Sequence, residues 1–402
     1  MKKSVVILGL SQTLSSVSAT MLLFAVMMHS YGDSKSVLDL AWIYIATSLP
    51  VFFAAPFCGI LIDRFSKKAN LLAADLLCAS AVLTLYLLGD RLHTALLFFI
   101  VFVNQLGISY QGLTNQTLIV HFFNKEELSF VNGWMQFKKA FQKLIAPALG
   151  GYLYSVMPLK NMVIINISSL SIALLVLAWI NLPARASEQG LLGSSSKLSL
   201  MGFRFILGNP QLLAFAGYFT VLNFLAGIHS VLYTPVLLNF ADEKALGLAL
   251  SIGSGGMILG GLMSAHIKRL NFGSYRHLLL YSTLNGLSEV VMGSYPGLAI
   301  YSFGLFLSSL SSCFIAVCQS VLWQSMVPQD IQGRVFGARD LMILSSLPVG
   351  MAVGGILGDA CKQLREGFAV LLIINGLAQI ALAGFQAYRT KIFSSTKLEV
   401  SP

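Results

Sequence analysis

Charge is what this sequence has least of. Only 10% of its 402 residues are Asp, Glu, Lys or Arg, against about a quarter in soluble domains, and 56% are hydrophobic. A chain this poor in charge cannot clothe a globular surface, so a soluble fold is excluded. Signatures of chemistry are missing as well. There is no His-Glu-x-x-His, no Gly-x-Ser-x-Gly and no nucleotide-binding glycine loop, and the six histidines are scattered. These absences argue against a membrane enzyme, against direct use of ATP, and against a resident metal or other cofactor. The five cysteines, Cys58, Cys78, Cys313, Cys318 and Cys361, are odd in number and spaced for neither zinc nor secreted disulfides. Four of them fall inside apolar runs and read as small core residues. The alternating segments of about ten residues that build a transmembrane β-barrel are absent too.

What remains is apolar sequence with a mean hydropathy of +0.77. Runs of roughly 20 residues, long enough to cross about 30 Å of hydrocarbon as helix, recur along the chain. They predict an all-α membrane protein with twelve transmembrane helices in two pseudo-symmetric six-helix bundles. The first six spans cover about 4–29, 37–62, 69–88, 94–121, 130–154 and 160–182. The second six cover about 211–239, 244–267, 275–293, 297–326, 334–358 and 366–388. The domains are therefore 1–182, a polar Gly/Ser-rich linker 183–209 with a short interfacial helix near Leu198 to Leu207, 210–388, and a tail 389–402. The start Met1-Lys2-Lys3 resembles a leader peptide, but the apolar run continues to Met28, which favours an uncleaved first span.

The net charge of +10 does not point to nucleic acid, because the basic residues are dispersed at the ends of spans rather than interleaved with aromatics. With the termini and even-numbered turns placed in the cytoplasm, 17 of the 26 Lys and Arg lie there, six lie opposite and three lie inside the fifth span. Both termini are thus expected inside. A shift of 204 residues superposes Val131 on Val335, Gly133 on Gly337, Gly150-Gly151 on Gly354-Gly355, and Glu126 on Asp330. Two repeated bundles with a binding site near the bilayer midplane are expected.

Polar stripes in the spans nominate the wall of that site. The first span carries Ser11, Gln12, Ser15 and Ser18, and the fourth carries Asn104, Gln111 and Asn115. The seventh offers Asn223, His229 and Tyr233, and the tenth Gln319 and Trp323. Mixed polar and aromatic groups on an apolar wall suit an amphipathic organic ligand. Lys139 and Lys143 share a face of the fifth span, and Lys143 stands about 20 Å along it, deep for a snorkelling lysine. Two readings stand for this pair: attraction of a carboxylate-bearing substrate, or gate contacts to Asp340 or Glu127.

Ionisable residues within spans are candidate coupling sites. Lys143, Asp340, His229 and Glu289 are the candidates, with a structural or interfacial role expected first for both Asp75 and Glu289. A histidine is the side chain that titrates near neutral pH.

Between the second and third spans stand Gly59, Asp63-Arg64 and Lys67-Lys68, and before the eleventh stands Val327-Pro328 followed by Gly333-Arg334-Val335-Phe336. On these residues the chain resembles the major facilitator superfamily over essentially its whole length. Within it the chain resembles bacterial drug and metabolite exporters of the macrolide-efflux and enterobactin-exporter type. The resemblance implies alternating-access export of a drug, antibiotic, secondary metabolite or siderophore by a monomer in the bacterial plasma membrane, with H+ as coupling ion. It implies that Asp63 meets the N-terminal end of the eleventh span and latches the cytoplasmic side, a role that transfers to Asp63 alone. Gly59, Arg64, Lys67, Lys68 and Arg334 complete the signature-turn and gate candidates, and Asp340, beside Arg339 near the cytoplasmic end, reads as a gate contact. Ser66 occupies the position where a glycine is usual. Pro147, Gly150 and Gly151 are similar to the family's antiporter motif, with Ala146 for its first glycine, and this points to export. The basic residue of the fourth span is missing, since no Lys or Arg lies between Thr94 and His121, so the usual proton site does not transfer. A lipid or lysolipid mover, an uncoupled facilitator and a non-transporting receptor are the alternatives.

Overall fold

The computed structural model describes residues 2–50, 58, 61–62, 64–89, 93–122, 125–180, 195–266, 275–328, 331–364 and 366–395. All regular structure among them is helical: α1 (Lys2–Ser34), α2 (Val37–Ser48), α3 (Lys67–Leu88), α4 (Thr94–Phe122), α5 (Lys125–Val156), α6 (Leu159–Trp179) and α7 (Ser195–Gly208). There follow α8 (Pro210–Leu238), α9 (Glu243–His266), α10 (Tyr275–Ser294), α11 (Leu298–Met326), α12 (Gln332–Leu344), α13 (Ser346–Cys361) and α14 (Gly367–Ser395). Nine stretches among the described residues are long and apolar enough to cross a membrane. With α2, α5 and α10 in the other expected positions, the arrangement is consistent with twelve spans.

The outward surface is apolar. Leu175 and Trp179 expose 70% and 77% of their surface, which is stable only where the solvent is hydrocarbon. The chain forms two compact units, Met1–Gly193 with Asp242–Ser251, and Ser194–Ala241 with Ile252–Pro402. The first turns of α9 therefore group with the N-terminal unit, a placement the span pattern does not anticipate.

In the first unit, Leu8, Leu71, Leu118 and Leu177 join α1, α3, α4 and α6. The serine stripe of α1 faces α6: the Ser18 and Ser169 hydroxyls lie 2.5 Å apart, and Asn166 Nδ2 donates to Ser18 Oγ at 2.9 Å. In the second unit, Ile206, Phe215, Phe219, Tyr281, Phe314, Trp323 and Val335 form the core. The linker helix α7 contributes Ile206 to that core and runs longer than the sequence predicts, from Ser195 to Gly208. The eleventh span is broken into α12 and α13 at Ser345, where Pro348 supplies no N–H and its ring crowds the Leu344 carbonyl.

The internal repeat is visible in packing. A Cβ at Gly150 would touch Met21 and Phe24 of α1, and one at Gly354 would touch Ile228 of α8 at 3.0 Å. Each glycine lets its helix press on the first long span of its own unit, α1 or α8.

Candidate functional site

The turn before α3 is tied down by its own side chains. Ser66 caps α3, its Oγ accepting from Ala69 N at 3.2 Å, so the residue that departs from the family glycine has a structural task. Lys68 Nζ donates to the Ala178 and Ile180 carbonyls at 2.8 and 2.9 Å, a cation on the free carbonyls that end α6. Lys67 reaches the Ile62 carbonyl at 3.5 Å, and Arg64 is exposed. Asn70 Nδ2 donates to the Ile62 and Phe65 carbonyls, while Tyr110 Oη donates to Asn70 Oδ1 from α4. Gly59 and Asp63 lie outside the described residues, as do the side chains of Lys139 and Arg334.

The polar stripe of α4 divides. Asn115 Nδ2 donates to Gln12 Oε1 on α1 at 3.0 Å, so these two candidates meet. Gln111 Nε2 instead donates to Asp75 Oδ1 on α3 at 2.5 Å. Asp75 is fully buried, and its Oδ2 has no hydrogen-bond partner. Asn104 lines a cavity of about 30 Å³ within this unit, room for one water, and its carbonyl accepts from Cys78 Sγ.

On α5, Pro147 removes one helical N–H, and the next one, Ala148 N, donates to Ser251 Oγ of α9 at 3.1 Å. There α5 and α9 touch backbone to backbone. A Cβ on Gly151 would lie 2.6 Å from the Glu243 carbonyl oxygen and 3.2 Å from Gly247 Cα, and one on Gly247 would strike the Pro147 carbonyl oxygen. Gly247 and Ser251 were not singled out in the sequence, although their i, i+4 small-residue spacing is the signal of such a seam. Lys143, one turn before the proline, has an exposed side chain.

In the second unit, two candidates from different spans come together. His229 Nδ1 of α8 lies 3.2 Å from Glu289 Oε1 of α10, and Glu289 is only 1% exposed. Asn375 Nδ2 donates to Glu289 Oε2 at 2.7 Å and Gln379 Nε2 to Oε1 at 2.5 Å, both from α14. These two amides were missed by sequence reasoning, yet an i, i+4 pair of amides in an apolar span is a legible sign of a buried polar partner.

The remaining candidates are dispersed. Asn223 donates to its own helix at the Phe219 carbonyl, the Tyr233 carbonyl accepts from Tyr301 Oη at 2.5 Å, and Gln319 is half-buried. Trp323, expected on a ligand-facing wall, is fully buried in the core, its ring centroid 5.6 Å from that of Phe215. Arg339 stacks over Trp323 and Phe336 and pairs with its neighbour Asp340 at 2.7 Å. Arg339→Ala is expected to lower stability by about 1 kcal/mol, with partial recovery in Arg339→Lys, as read in thermal melts of the detergent-solubilised protein.

Macrolide efflux protein A of Streptococcus pyogenes is 22% identical to this chain over 383 residues, which is 92% of each chain. Multidrug efflux pump Tap of Mycobacterium tuberculosis is 23% identical over 400 residues, covering 90% of this chain and 93% of its own. Among solved structures, the nucleoside transporter NupG matches 96% of this chain and 98% of its own with a TM-score of 0.77 at 14% identity, a likeness of fold. The family described as Major Facilitator Superfamily matches residues 6–347, and the chain belongs to that superfamily of membrane transporters.

Proposed function

We propose that the protein exports amphipathic organic compounds, macrolides among them, across the bacterial plasma membrane by alternating access, in exchange for protons. The observation that carries this reading is the likeness to a macrolide efflux protein over 92% of both chains, which leaves little of either chain unmatched. The close packing of Pro147 and Gly151 against α9 and of Gly150 against α1 adds to it, since these residues are similar to the antiporter motif. The chain works as a monomer with both termini in the cytoplasm, where most of its basic residues lie. Gln12 and Asn115, joined across α1 and α4, contribute polar contacts to the cargo. The signature turn and Asp340 serve as gate elements.

The test is transport by the purified chain in proteoliposomes, with erythromycin, a tetracycline, ethidium, an anionic siderophore and a lysophospholipid, with and without a pH gradient. Erythromycin counterflow, with uphill accumulation only when the gradient is imposed, is the expected result. Transport of the lysophospholipid alone, accumulation indifferent to the gradient, or no counterflow of any compound would each overturn the proposal. Lys143 presents its charge from α5, so Lys143→Gln is expected to slow the siderophore several-fold more than erythromycin.

A further inference from the structure

Glu289 is buried within α10, with 1% of its surface exposed. A charge placed there is costly unless it is both paired and hydrogen-bonded, and Glu289 is both. The two amides of α14 hold its oxygens from one side, and Asn375 Nδ2 also reaches the Leu225 carbonyl of α8 at 3.1 Å. The helices that carry the carboxylate and its amides are locked together. A Cβ on Gly286 would lie 2.5 Å from the Gly376 carbonyl oxygen, and one on Gly293 would lie 2.6 Å from that of Ala369. Glu289 therefore has a fixed position and fixed donors.

His229 approaches from α8, with 16% of its side chain exposed. Its Nδ1 faces Glu289 at ion-pair distance without the alignment of a hydrogen bond, and has no other hydrogen-bond partner. Asn375 Oδ1 in the same cluster is also unsatisfied. Among the described residues, no lysine, arginine or second carboxylate stands within ion-pair distance of either group. The titratable neighbours are Tyr233, whose ring centroid is 5.8 Å from that of His229, and Tyr301 of α11, which donates to the Tyr233 carbonyl. From α13 the neighbour is backbone, Gly354 against Ile228. From α14 it is the two amides.

We propose that His229 and Glu289, held by Asn375 and Gln379, are the site at which a proton binds and leaves during transport. Protonation at Nδ1 opposes an imidazolium to the carboxylate. Release to water leaves the carboxylate charge on the two amides alone, and the contact between α8 and α10 loses its attraction. The proton taken up from one aqueous side is the proton returned to the other, so the step changes no covalent bond other than N–H. His229 is the carrier, being the less buried member, and Glu289 is the positioning residue. The proposal rests on the reading of the protein as a proton-driven exporter.

Two measurements on the full chain test it separately from that reading. In proteoliposomes with erythromycin, His229→Gln and Glu289→Gln are each expected to lower gradient-driven accumulation at least tenfold more than counterflow. Equal losses in the two reactions, or wild-type accumulation in either variant, overturn the site. The second measurement needs no cargo: NMR of the six ring-labelled histidines in detergent, between about pH 5.5 and 8. One ring signal, absent in His229→Gln, is expected to titrate, with a midpoint that moves in Glu289→Gln. Where Glu289→Gln does not accumulate, Gln379→Leu provides the comparison. A His229 signal that does not titrate, or that titrates identically in these variants, overturns the site even if the protein exports macrolides. A titrating, Glu289-dependent signal in a protein that moves no macrolide upholds the site and overturns the assigned cargo.

Discussion

Gly151→Val is expected to reduce erythromycin efflux in cells to that of cells lacking the protein, while Gly261→Ala leaves it within twofold of wild type. The reason is what each new Cβ would meet. At Gly151 it would meet the carbonyl oxygen of Glu243 and the Cα of Gly247, at 2.6 and 3.2 Å, and backbone cannot swing aside as a side chain does. At Gly261 nothing lies within 4 Å. Overpacking of this kind costs about 1–3 kcal/mol, and here it would also separate Ala148 N from Ser251 Oγ. Gly247→Val should match Gly151→Val, because the contact is reciprocal. Immunoblots of membranes separate lost efflux from lost protein. Efflux by Gly151→Val at the wild-type rate, with wild-type abundance, would show that the seam has no part in transport.

Glu289→Leu is expected to be the most destabilising single change in the second unit, and Asp75→Asn in the first unit is expected to be neutral or stabilising. Both acids are buried in spans, at 1% and 0% exposure, but their partners differ. Removing Glu289 strands the Gln379 amide, leaves Asn375 with only the Leu225 carbonyl, and takes from His229 its ion-pair partner. Each unsatisfied group costs about 1–3 kcal/mol, and breaking a buried pair about 3–5 kcal/mol. Asp75 has one donor, Gln111, and one unpartnered oxygen. Asparagine keeps the acceptor for Gln111 and removes the uncompensated charge. Thermal melts followed by size-exclusion chromatography should place Asp75→Asn at or above wild type and Glu289→Leu far below it. The reverse order would mean that Asp75, not Glu289, carries the structural load.

The candidate site was legible where a local rule applied. Helical periodicity marked the serine stripe of α1, and that stripe does bond within the protein, to Ser169 and Asn166. Intramembrane charge marked both Glu289 and His229. Ser66 read as a departure from the family turn, and its use became plain only when its hydroxyl was seen to cap α3. Trp323 read as a wall residue because aromatics among polar groups mark ligand surfaces, but the same amphipathic ring fills a core equally well. The break at Ser345 was hidden by continuous hydropathy, which does not register the missing N–H of Pro348.

By itself the sequence determined that this is a helical membrane protein of repeated bundles and which family it resembles, because length, apolarity and basic flanks act one segment at a time. It also marked the two buried carboxylates, Asp75 and Glu289, since any ionisable group in an apolar span is conspicuous, but it did not separate them from Lys143 and Asp340, which are exposed. Tertiary structure alone decided which of them meet. His229 and Glu289 stand 60 residues apart in sequence and Asn375 a further 86, and no local pattern links them. The same holds for the seam of Pro147, Gly151 and Gly247, where the decisive contacts are between backbones on helices far apart in the chain. A residue's cost in hydrocarbon is a local property, readable from the sequence, whereas its partner is settled by how the helices pack.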